Sequence, residues 1–200
     1  MEEKMESGNI TLKEQRRKSA KPLLWISIAG MMMMFAGLTS GYIVSRSSRM
    51  IEGDWLVFQL PQIFYASTIT VIIISVALHF AVKNIKENKT KTATNLLLAA
   101  LLLGVAFVVF QFIGWKELKD SGIFFTGPGS NTAGSWVYVI TLFHVLHLLA
   151  GIVVLIVTYF KAVNKRYSNE DYLGIDLCAT YWHFVDVLWV FLFMFLSFIR

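Results

Sequence analysis

Cysteine is nearly absent: Cys178 stands alone in 200 residues. No internal disulfide can form, and no thiolate cluster can hold a metal. Charge is also scarce. Asp, Glu, Lys and Arg make up 16 % of the chain, against roughly a quarter in soluble domains. No internal repeat is visible, and 200 residues are too few for a duplicated transporter fold of ten or twelve helices. Glycines cluster at Gly127-Pro128-Gly129, but no Gly-Lys-Ser/Thr follows, which excludes a phosphate loop. Residues 1–21 are charged and hold no apolar core, so no cleavable signal sequence is expected.

What is present is apolar. Hydrophobic residues reach 56 % and aromatics 14 %, with 16 Phe among them. Such a composition suits lipid-facing and helix-packing surface, and points to an integral membrane protein of one domain. Five runs approach or exceed the ~20 residues needed to cross a bilayer. They cover about 23–45, 61–82, 93–115, 136–160 and 178–199. The expected fold is therefore all-α, a bundle of five transmembrane helices over 23–200, preceded by a basic tail at 1–22. The connection 116–135 is the longest and is expected to be a turn-rich loop.

The net charge of +5 reflects topology rather than a nucleic-acid surface. Thirteen Lys and Arg fall in the tail and in the 83–92 and 161–177 connections, and five fall on the opposite side. That asymmetry puts the N-terminus inside and the C-terminus outside.

Polar residues within the runs are the candidates for function. In Tyr181-Trp182-His183-Phe184-Val185-Asp186-Val187-Leu188-Trp189, His183 and Asp186 are three apart and share a helix face. Trp182, Asp186 and Trp189 follow a 4-then-3 spacing, which marks one packed side. Ionisable groups at that depth call for protein partners. The structural reading is a hydrogen-bonded pair that locks helices together, with His144 or His147 among the candidate partners. The competing reading is a direct catalytic or metal role. Thr141, His144, His147 and Gly151 form a second stripe at 3-3-4 spacing, and Gln111 is an expected interhelical hydrogen-bonder. In the first run, Gly30, Gly37 and Gly41 form a small-residue stripe that would let another helix approach closely. Met31–Met34 point around their helix and read as adaptable packing rather than a copper site. His79 lies near a span end and reads as structural.

Depth argues against one shared metal site. His144 and His147 lie roughly 12–17 Å from the outer end of their span, and His183 roughly 8 Å from the inner end of its own. Neither haem nor stoichiometric metal is expected to bind this chain.

The Tyr181–Asp186 motif with Trp189 resembles the signature of subunit III of the haem–copper terminal oxidases. Tyr138, Thr141, His144, His147 and Gly151 resemble that family's penultimate helix. Leu103-Gly104, Phe107, Gln111 and Trp115 resemble the helix before it, and Phe35-Ala36-Gly37 with Tyr42 the start of its five-helix core. The resemblance covers about 23–199. Three positions depart from it. Met31 stands where members often carry an embedded Glu, Gly114 where many have another, and Asp176 where the family has Glu.

The resemblance implies a subunit without redox centres, packed against the catalytic subunit I of an oxidase beside subunit II. Haem and copper would lie in those partners. The chain would stabilise the complex and keep proton uptake fast while oxygen is reduced to water. It implies a multi-pass protein of the bacterial plasma (inner) membrane, in contact with lipids and open to a larger respiratory assembly. It implies no catalytic, cofactor or metal residue here. Gln111, His144, His147, Asp176, Trp182, His183 and Asp186 would be structural polar contacts. Seven-helix members hold lipid in a cleft that a five-helix chain would need another subunit to complete. A quinol oxidase subunit or a nitric-oxide-reductase-associated homologue is the alternative within the family. A small channel or carrier is the alternative outside it, and would want broken helices or a continuous polar lining.

Overall fold

The computed structural model describes the backbone of residues 2–199 and the side chains of Gln15 and 18–199. The described residues form five helices and no strand: α1 (Glu2–Ile51), α2 (Ile63–Lys86), α3 (Thr90–Asp120), α4 (Thr132–Val163) and α5 (Leu173–Phe198). All five contain a stretch long and apolar enough to cross a membrane, beginning at Lys18 in α1. Inside a bilayer a helix satisfies its own backbone groups, which is why each apolar run takes this form.

Three boundaries differ from the sequence expectation. The basic tail and first run form one continuous helix with Pro22 inside it. The side chains of Lys13, Arg16, Arg17 and Arg200 lie outside the described residues. At the end of α3, Lys116–Asp120 stays helical because Leu118 turns inward and is buried. Gly122 then breaks the helix with a φ of +82°, a conformation that disfavours any Cβ. Finally, α4 begins at Thr132 because Asn131 caps it, its side-chain oxygen accepting from the Ala133 amide at 2.8 Å. The long connection is thus 121–131.

Residues 87–89 join α2 to α3 in a tight turn, with Asn88 at φ +59°, and these two helices share the most extensive interface. α5 packs between α2 and α4, and α3 packs on α4. Among the described residues α1 touches only α4 and α5, so it stands at the edge of a four-helix body. One apolar core fills α2–α5 around Trp182 and Trp189. A second joins Phe35 and Tyr42 of α1 to the later half of α5 and the start of α4. Much of the remaining apolar surface, including Phe80, Phe112, Phe160 and Phe191, faces outward, as lipid contact requires.

Candidate functional site

The signature on α5 is a set of keys turned into neighbouring helices. Trp182 is fully buried, and its Nε1 donates to the Gly151 carbonyl of α4 at 3.1 Å. Its ring fits because two glycines make room. A Cβ at Gly104 would stand 2.9 Å from that ring, and one at Gly151 would stand 2.9 Å from Tyr181. Tyr181 donates its hydroxyl to the His147 carbonyl at 2.7 Å. One heptad on from Trp182, Trp189 donates to Thr68 Oγ1 of α2 at 3.1 Å. The Trp189 ring meets Phe64, Phe107 and His144 at centroid distances of 5.7, 5.1 and 5.0 Å.

The same device ties α3 to α4. Trp115 Nε1 donates to Thr141 Oγ1 at 3.0 Å, and Tyr138 donates to the Trp115 carbonyl at 3.1 Å. An indole or phenol has a large apolar body and one polar tip, so it packs in a dry interface and still satisfies its donor.

The histidines do not converge. His183 Nδ1 is paired with Ser75 Oγ of α2 at 2.6 Å, which corrects the expectation of His144 or His147 as its partner. His183 turns toward α2, whereas His144 lies inside α4's packed face among Phe35, Phe107 and Trp189. His147 is half-buried; its Nδ1 donates to the Phe143 carbonyl of its own helix at 2.7 Å, and its ring meets Phe35 edge-on. His79 is exposed.

Two further expectations need correcting in the same way. Gln111 and Asp186 are buried as expected, but neither has a side-chain hydrogen bond among the described residues, and nor does His144. The interhelical bonds expected of Gln111 and Asp186 are made instead by the aromatic donors around them. Asp176 does form a polar helix contact: its Oδ2 lies 3.0 Å from Lys21 Nζ of α1. Nearby, Lys86 sits over the Tyr172 ring at 5.1 Å. Tyr167, in the α4–α5 connection, closes over Gly174. Burial raises the pKa of its phenol, against a hydrogen bond to Thr158 that lowers it.

The family departures gain a physical reason. Phe64 occupies the space a side chain at position 114 would need, so Gly114 and Phe64 are complementary. Met31 is buried. The expected glycine stripe on α1 is only partly used. Gly41 receives Trp136, whose ring would stand 2.7 Å from a Cβ there, while Gly30 and Gly37 face open space. The hydroxyls of the second run, Ser67, Thr68, Thr70 and Ser75, were expected to bond either to their own helix or across to a neighbour. Thr68 and Ser75 bond across. Sequence reading missed the contacts of Lys21 and of the Tyr42 hydroxyl, which donates to the Ile199 carbonyl at 2.7 Å. A lone hydroxyl in an apolar run gives little signal, because most bond back to their own helix.

Among the described residues, no three of His, Cys, Asp and Glu come together as metal ligands. His144 is walled by rings, and His183 Nδ1 is engaged by Ser75. What the fold and these contacts define is a multi-pass membrane protein whose helices are keyed together by buried aromatic donors.

Residues 57–199 match the family model of cytochrome c oxidase subunit III, and the chain belongs to that family. Cytochrome c oxidase subunit 3 of Corynebacterium diphtheriae is 30 % identical over 175 residues, covering 84 % of this chain and 82 % of that protein. The Spodoptera frugiperda protein of the same name is 32 % identical over 137 residues, 68 % of this chain and 87 % of its own length. The Rhipicephalus sanguineus protein is 41 % identical over 108 residues, 52 % of this chain and 38 % of that relative. The match thus spans well under half of that relative.

Proposed function

We propose that this chain is a non-redox accessory subunit of a proton-pumping cytochrome c oxidase in the plasma (inner) membrane of a bacterium. It packs against catalytic subunit I in a complex that includes subunit II, lengthens the working life of that complex, and supports proton uptake at the inner face. Haem and copper belong to the partner subunits, and lipids cover its outward apolar faces. The N-terminus lies inside and the C-terminus outside, as the Lys and Arg asymmetry favours. Aerobic respiration is the setting, with a larger respiratory assembly open to it.

The observation that carries this reading is the use made of the signature residues. Tyr181, Trp182 and Trp189 bond helix to helix, and His183 does the same through Ser75. No group of three or more His, Cys, Asp or Glu that could hold a metal accompanies them among the described residues. The channel reading has less support, because the helices that follow α1 are unbroken and aromatic rings fill their centre.

The test is purification of the complex through a tag on this chain, with visible spectra and oxygen consumption normalised to haem. Haem-containing partners should accompany the chain. Deleting the chain should shorten the number of turnovers before inactivation more than it lowers the initial rate. A chain that purifies alone, free of haem proteins under mild detergent, would refute the proposal.

A further inference from the structure

Two lysines share a cavity that holds no acid. The cavity, about 440 Å³, lies between the start of α3 and the end of α4. Thr90, Lys91 and Asn95 line it from α3, and Val163 and Lys165 from α4. Among the described residues no carboxylate lines it. Elsewhere Lys21, Arg49 and Lys89 each pair with a carboxylate. Lys91 and Lys165 have no such partner among the described residues, and the Asn95 side chain has no hydrogen bond there. Lys165 is also held at φ +53°, in the place just past a helix end where glycine is the usual residue. The Arg166 amide closes that end on the Lys161 carbonyl at 3.0 Å, which fixes the Lys165 backbone beside the cavity.

The cavity straddles the border between polar and apolar chain. On α3, Lys91, Asn95, Leu98 and Leu102 follow one another at spacings of 4, 3 and 4 and share a face. On α4, Phe160 and Val153 lie 3 and 10 positions before Val163, on its side of the helix. Leu98, Leu102, Phe160 and Val153 are all exposed. An occupant therefore meets cations at one end and outward apolar surface at the other. Two ammonium groups without a counter-charge favour an anion, and lysine binds phosphate as a point charge. Basic pockets between membrane-spanning helices suit phosphate head groups. A free phosphate would use the lysines and leave the apolar stripe unused.

We propose that this cavity binds the phosphate of an anionic glycerophospholipid. Lys91 and Lys165 meet its charge, Asn95 donates beside them, and an acyl chain lies along Leu98 and Leu102. The inference needs a membrane-spanning chain and does not need the oxidase assignment. Under the topology proposed above, the lipid belongs to the inner leaflet.

The experiment uses whatever assembly purifies through a tag on this chain, reconstituted into phosphatidylcholine vesicles. A trace of phosphatidylglycerol with a diazirine in its acyl chain is added, and adducts formed on illumination are mapped by peptide sequencing. They should concentrate in the peptides that carry Leu98 and Leu102 of α3 and Val153 and Phe160 of α4. Phosphatidylcholine carrying the same diazirine should label those peptides about tenfold less. Lys91→Gln and Lys165→Gln should each lower labelling by phosphatidylglycerol about fivefold, the worth of one lysine beside anionic lipid. Lys165→Arg keeps the charge and Lys83→Gln removes one from outside the cavity, so both should stay within about twofold of the native labelling. All these positions are exposed, and the amount of chain recovered checks that each variant folds. Labelling spread evenly over the five helices, equal labelling by the two lipids, or a loss with Lys83→Gln as large as that with Lys165→Gln would each overturn the site. Inorganic phosphate that abolishes the labelling would overturn the lipid and assign the cavity to a free anion.

Discussion

Trp182 shows how little room the interior leaves. Its indole lies against two glycines on two helices and bonds a carbonyl on one of them. Trp182→Phe keeps most of the ring and removes the donor, and should destabilise by about 1 kcal/mol. Gly151→Ala adds one methyl and should do more harm, about 1–3 kcal/mol, because Tyr181 and Trp182 both stand in its way. Unfolding by denaturing detergent, followed by circular dichroism, would rank the two; the reverse order would mean that the hydrogen bond outweighs the fit. Gly114 poses the same question in a family position. Gly114→Glu should prevent accumulation of folded chain, since Phe64 fills that space. Phe64→Ala should partly restore it, a coupling between neighbours that a double-mutant cycle measures. Equal accumulation of Gly114→Glu with and without Phe64→Ala would show that the two positions are independent.

Among the helices, α1 is the one held least firmly. Among the described residues it meets α4 and α5 alone, through Phe35, Tyr42, Gly41 and the Lys21–Asp176 pair. Lys21 is largely exposed, so that pair adds little. Phe35→Ala should therefore cost about 3 kcal/mol and release α1 while α2–α5 stay packed. Hydrogen exchange read by mass spectrometry should show protection lost in α1 peptides only; uniform loss across all five helices would contradict this. The five helices were legible in the residues because lipid imposes a length of about twenty apolar positions. Their ends were less so. Lys116–Asp120 reads as loop from its polarity, and only the inward turn of Leu118 keeps it helical. Trp182, Asp186 and Trp189 do share one buried side, as their spacing requires. The partner of His183 was not legible, because Ser75 lies 108 positions away and resembles every other hydroxyl in its run.

As a whole the molecule is a four-helix body with one attached helix. Basic residues gather at the end that holds the 87–89 turn and the start of α5. Under the proposed topology a reporter active only inside should respond when fused at the N-terminus and stay silent at the C-terminus. Equal response from both ends would exclude five crossings. The faces of α2, α3 and α5 carry outward apolar residues, which partner subunits would cover under the proposed function. The stability of the isolated chain should therefore rise when it is assembled, by mass action.

The placement of the six tryptophans gives the protein an optical gauge of its own. Trp182 and Trp189 sit in the four-helix core, and Trp115 is tied to α4. By contrast, Trp136 rests on Gly41 and Trp55 on Tyr42, both at the seam with α1. Trp25, on α1 itself, is already exposed; if α1 swings away, Trp55 and Trp136 are the ones newly uncovered. Fluorescence quenching by bromine-labelled acyl chains would then increase for Trp55 and Trp136 and hold steady for Trp182 and Trp189. Attachment of a single helix could thus be followed in a bilayer without adding any dye.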